Sequence, residues 1–67
     1  MSTARVTQIV SSSSKGFEEA IRDGLKRATE TLRGITGLEV TKMNAKVENG
    51  KILEYRVHFN ITFVLEN

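Results

Sequence analysis

From Leu53 to Leu65 every second residue is apolar: Leu53, Tyr55, Val57, Phe59, Ile61, Phe63 and Leu65 alternate with Glu54, Arg56, His58, Asn60, Thr62 and Val64. A pleated strand sends successive side chains to opposite faces, so this pattern reads as one strand with one buried face. At roughly 3.3 Å per residue a strand of about 13 residues is about 43 Å long, whereas an average strand has roughly five or six residues. Whatever covers that face must be long, or must come from more than one source.

The rest of the chain offers little to cover it. With 67 residues in all, residues 1–67 form one domain, and a chain of this size buries only about 60% of the surface its unfolded form exposes. Small domains compensate with disulfides, metals or oligomerisation. There is no cysteine, and a single histidine, His58, excludes a His/Cys zinc cluster. Self-association is what remains.

One amphipathic helix is legible. Phe17, Ala20, Ile21, Gly24, Leu25, Ala28 and Leu32 recur at helical spacing and form one stripe. Ala20, Gly24 and Ala28 keep that stripe thin enough for a sheet to approach closely. Ser13 or Ser14 is expected to cap its start, with Glu18 and Glu19 near the positive end of the helix dipole, and Gly34 to supply a left-handed C-cap. A helix of about 20 residues would be only about 30 Å long, shorter than the strand it must cover.

The other strands are weaker signals. Arg5 to Val10 is β-branched and reads as a short strand ended by the four serines, Ser11 to Ser14. Leu38 to Val47 reads as a strand that reverses through Asn49-Gly50 into the long one. The order is β-α-β-β, an α+β subunit with a three-stranded antiparallel sheet and the helix on one face.

Several function classes are excluded on composition. Ten Lys/Arg against eight Asp/Glu give a net charge of only +2. The densest basic group, Arg22, Lys26, Arg27 and Arg33, alternates with Asp23 and Glu30, which describes a solvated helix face rather than a phosphate-binding stripe. No apolar run is long enough to span a bilayer, and the N-terminal stretch lacks the pattern of a secretory signal, so a cytoplasmic protein without nucleic-acid or membrane partners is expected. No nucleophile, base and charge-stabilising group fall into a catalytic motif. Ser11 to Ser14 read as turn and cap residues.

The residues with other chemistry lie on the long strand. His58 shares the polar side with Arg56 and Asn60 and reads as a structural hydrogen bonder, with a ligand or pH-sensing role as the alternative. Arg56 reads as a cross-strand ion-pair partner of Glu39 or Glu48, or as a planar group facing an anion or a ring. Glu48, Glu54 and Glu66 are too scattered for a calcium loop within one chain, although symmetry could gather them into a ring.

The helix segment Ala20 to Ala28 (AIRDGLKRA), the Thr31-Leu32-Arg33 turn, Glu39-Val40 and the Phe63, Leu65, Glu66 tail together resemble the dodecin family over nearly the whole chain. The resemblance implies a sheet curled around one helix, assembly into a hollow homododecamer, and storage or sequestration of flavin (riboflavin or FMN) without catalysis. In flavin-binding dodecins a tryptophan stacks on the flavin ring, and its place in Thr36-Gly37-Leu38-Glu39-Val40 is held by Gly37. A glutamine that meets the polar edge of the ring is replaced by Arg56. Some relatives that lack the tryptophan also carry arginine there, and calcium binding has been proposed in that branch, which this chain resembles at Gly50-Lys51-Ile52 and Tyr55-Arg56. The expectation is a non-enzymatic shell binding a small ligand or ion, with flavin binding as the alternative. The ligand-facing positions expected are Gly37, Leu38, Arg56 and His58.

Overall fold

The computed structural model describes residues 3–65; Glu66, expected on the polar side of the long strand, lies outside them. The order is β1 (Thr3–Ser13), α1 (Phe17–Thr31), β2 (Ile35–Glu48) and β3 (Lys51–Leu65). The long strand is central in an antiparallel sheet of order β1-β3-β2, paired with β1 along one edge and with β2 along the other.

The alternation in β3 is realised. Val57, Phe59 and Ile61 are fully buried, and with Ala20 and Ala28 they form the core. Ile9, Phe17, Ile21, Leu25, Leu32, Ile35, Leu38 and Phe63 pack around that centre. The small-residue stripe of α1 faces it: Ala20, Gly24 and Ala28 are the buried residues of the helix.

β1 is longer than its composition indicated. It continues through Ser11, Ser12 and Ser13, opposite Val57, Arg56 and Tyr55, because β3 offers paired backbone along the whole stretch, and this outweighs the local turn preference of serine. The serines therefore do not cap the helix. Its N-cap is Gly16, in extended backbone with no side-chain cap, while the Ser13 hydroxyl accepts from the Lys15 amide at 3.0 Å inside the connecting bend.

The C-terminal end differs too. Leu32 is the C-cap, in extended conformation, and its amide donates to Ala28 O. Gly34 does hold a positive φ of 73°, but two residues later, where its carbonyl accepts from the Val64 amide at 2.9 Å and starts β2 beside β3. The Asn49-Gly50 reversal is as expected, with φ of 52° and 74°, the pair of left-handed residues that a tight hairpin requires.

Coverage of the sheet is incomplete. The helix has 15 residues, about 22 Å at 1.5 Å per residue, in a molecule with extents of 52 × 20 × 13 Å. It packs mainly on β1 and β3, leaving Val40 and Met43 of β2 exposed. Beyond its end the hairpin projects with Val47, Ile52 and Leu53 bare. The sheet is also bent: β2 shifts register at Thr36, at Thr41 and between Lys46 and Val47, and such bulges increase local twist and curl.

Candidate functional site

The face of the sheet turned away from α1, here the outer face, is built from the residues between the core positions. Register sets them in cross-strand rows. Ser12, Arg56 and Asn44 form one row, Val10, His58 and Lys42 the next, then Gln8, Asn60 and Glu39, and finally Val6, Thr62 and Gly37. Glu54 sits opposite Lys46 at the hairpin end.

Arg56 is not paired across the sheet with Glu39 or Glu48, as the sequence suggested. Its partner is Glu54, two residues back on the same strand and so on the same face, with Nη2 donating to Oε1 at 2.8 Å. That hydrogen bond, reinforced by one from Ser12, holds the Glu54 carboxyl below its ordinary value. An arginine beside a same-face carboxylate was findable in the sequence, because residues at i and i+2 of a strand share a side.

His58 is half-buried between Val10 and Lys42. Its backbone carbonyl accepts from the Thr41 hydroxyl at 3.2 Å, which fastens the bulge in β2. The result is a basic group of Lys42, Lys46, Arg56 and His58 on one end of the outer face. Neither Lys42 nor Lys46 makes an ion pair among the described residues.

Leu38 and Gly37 part company with this group. Leu38 turns toward the helix, opposite Ile61, and packs against the core. Gly37 is on the outer face opposite Thr62, six residues beyond Arg56 on β3 and therefore roughly 20 Å from it at about 3.3 Å per residue. A single subunit brings Arg56 and His58 together, and not Gly37 with them.

Gly37 also lacks the usual reasons for being glycine. It does not share the left-handed backbone of Gly34 and Gly50, and a β-carbon there would meet only the Thr62 Cβ, at 3.8 Å. The position is open on the sheet surface.

Aromatic residues are absent from this face. Tyr55, Phe59 and Phe63 belong to the helix-facing set of β3, and Phe17 meets Tyr55 edge to face at 5.1 Å between centroids. A flavin ring laid on the outer face of one subunit therefore finds no stacking partner among the described residues. Nor do three His, Cys, Asp or Glu side chains converge as a metal site among them. Among the described residues no helix is long and apolar enough to cross a membrane.

Comparison with known proteins agrees with this geometry. The family model described as Dodecin matches residues 3–66. A dodecin of Thermus thermophilus is 34% identical over 59 residues, covering 88% of this chain and 86% of that protein. The structure of a dodecin from Streptomyces davaonensis superposes with a TM-score of 0.93 at 35% identity, covering 98% of this chain and 97% of the other. The calcium-chelating antigen of Mycobacterium tuberculosis, a calcium dodecin, superposes with a TM-score of 0.82 at 25% identity, covering 96% and 91%.

Proposed function

From the premise that the chain belongs to the dodecin family, we propose that it is a non-enzymatic, self-assembling shell, a homododecamer in the cytoplasm, that binds a small anionic ligand in place of a flavin ring. The observation that carries this is the composition of the outer face: a basic group of Lys42, Lys46, Arg56 and His58, and no aromatic side chain. The Arg56 guanidinium already donates through Nη2 to Glu54, and its remaining N–H donors are what it has to offer an oxyanion, while a glycine at the stacking position presents nothing to a ring. Assembly is supported by the apolar residues that one helix leaves bare, Val40, Met43, Val47, Ile52 and Leu53.

Riboflavin and FMN share a ring and differ by a phosphate, so they separate the two readings. With light scattering to establish the assembled mass, fluorescence titration should show FMN bound and displaced by inorganic phosphate, with riboflavin unaffected. Lys42→Ala and Arg56→Ala should each weaken FMN. Quenching of riboflavin at submicromolar concentration would instead establish ring recognition, and with it flavin storage. A calcium shell would show neither and would require carboxylates such as Glu48 and Glu54 to meet across a symmetry axis.

A further inference from the structure

One residue of the basic end of the outer face has the wrong sign for an anion site. Lys46, Arg56 and Lys42 lie in neighbouring cross-strand rows, and Glu54 stands among them, opposite Lys46 and two residues from Arg56 on β3. A carboxylate in that place repels every approaching anion that has no proton to offer it. Glu54 is neither buried nor remote from solvent: Arg56 Nη2 donates to its Oε1 at 2.8 Å, and the two side chains remain 47% (Arg56) and 36% (Glu54) exposed. The hydrogen bond from Arg56 keeps the carboxyl below its ordinary value. At neutral pH the group is therefore ionised, and it accepts hydrogen bonds without donating any.

Register sets what an oxyanion would meet there. Rows on one face of a strand are about 6.6 Å apart, and a lysine carries its ammonium on a flexible four-carbon stem. Lys42 and Lys46 can thus both reach the row of Arg56, where Asn44 adds a neutral amide. An oxyanion over that row meets three cations and, beside Arg56, a carboxylate with lone pairs beyond the one Arg56 uses. Only an anion that brings its own O–H can lie against it. Inorganic phosphate keeps at least one proton at neutral pH, whereas sulfate, of the same tetrahedral shape, keeps none. The phosphate of an ester, with a second pKa of about 6, is largely ionised at neutral pH.

From this arrangement we infer that Glu54 sets the specificity of the anion site: its carboxylate accepts a hydrogen bond from the hydroxyl of inorganic phosphate, which the site therefore prefers to sulfate and to the ionised phosphate of an ester. An O–H donor on an ionised acceptor makes one of the stronger hydrogen bonds. A sulfate oxygen in the same place faces the carboxylate with no proton between them. Lys42, Lys46 and Arg56 attract all three anions, and the discrimination among them rests on Glu54.

The inference rests on the anion binding proposed above, and its test separates the two. FMN bound to the assembled protein at neutral pH is displaced with sodium phosphate and, in parallel, with sodium sulfate at matched ionic strength. Phosphate should displace it at about one tenth of the sulfate concentration, a difference of about 1.4 kcal/mol. Glu54→Gln keeps an oxygen for Arg56 and exchanges the charge for N–H donors, so in this variant sulfate should compete as well as phosphate. Lys46→Gln should weaken both anions alike and preserve their ratio. If Glu54 served only to orient Arg56, Glu54→Gln would change both anions together. Sulfate that equals phosphate in the wild type, or a preference for phosphate that survives Glu54→Gln, would overturn the role of Glu54 while leaving anion binding standing. FMN that does not bind, or that neither anion displaces, would overturn both.

Discussion

Gly24 of α1 lies so close to Phe59 of β3 that a β-carbon added to it would stand 2.5 Å from the ring Cζ, and 2.9 Å from the Ser11 Cβ. The helix approaches the sheet here more closely than any other residue would permit. Glycine within a helix ordinarily costs about 0.5–1 kcal/mol relative to alanine, so Gly24→Ala on a free helix surface would stabilise. Here the added methyl must displace a fully buried ring, and overpacking of this kind costs about 1–3 kcal/mol. Denaturant unfolding at fixed protein concentration should show Gly24→Ala destabilised, and a rise in stability would show that the contact is not what requires glycine.

The hairpin turn gives a second expectation. Gly50 holds φ of 74° with open space around its Cα, so alanine there meets no neighbour and only the backbone objects. A left-handed conformation costs an L-residue about 1–2 kcal/mol. Gly50→Ala should lose about that much, and Gly50→Asn less, since asparagine tolerates the conformation; equal losses would mean that the turn changes type on substitution.

Glu54 and Arg56 give a pH dependence. The arginine lowers the folded-state pKa of Glu54 below the ordinary carboxylate value of 4.5. The ionised pair therefore contributes stability that is present above about pH 4.5 and lost as pH falls through the lower, folded-state value. Both groups are substantially exposed, so the contribution is small. Melting temperatures of wild type and Glu54→Gln should differ slightly at neutral pH and converge in acid; a difference that widens below pH 4 would contradict the assigned pair.

The long strand and the helix stripe were legible because each repeats a simple period: two for β3, and three or four for α1. The Asn49-Gly50 reversal was legible because few other residues adopt two left-handed conformations in succession. Where local chemistry misled, a longer partner had overridden it. Ser11 to Ser13 favour turns and caps in isolation, yet they are strand because β3 extends beside them. Leu38 follows Gly37 in sequence, but alternation sends it to the core while Gly37 stays outside. The Thr36 and Thr41 bulges, which fix that alternation in β2, leave no distinct mark in the sequence.

The distance between Gly37 and Arg56 decides the last expectation. If these two positions alone account for the loss of flavin recognition, Gly37→Trp with Arg56→Gln should restore it. The backbone of Gly37 is not left-handed, and Thr62 at 3.8 Å is the nearest obstacle to a β-carbon, so the indole can be accommodated on the outer face without the strain a positive φ would impose. Stacking returns about 0.5–1.5 kcal/mol beyond the area buried, and the amide offers the ring edge both a donor and an acceptor. Because the two positions lie roughly 20 Å apart along the strands, one subunit cannot supply both to the same ring, and the restored site must be shared between copies. The double variant should quench riboflavin at least tenfold more tightly than wild type, about 1.4 kcal/mol, and only while assembled. Each single variant should recover less. A double variant that assembles normally and still ignores riboflavin would show that the outer face differs from a flavin site in more than these two residues.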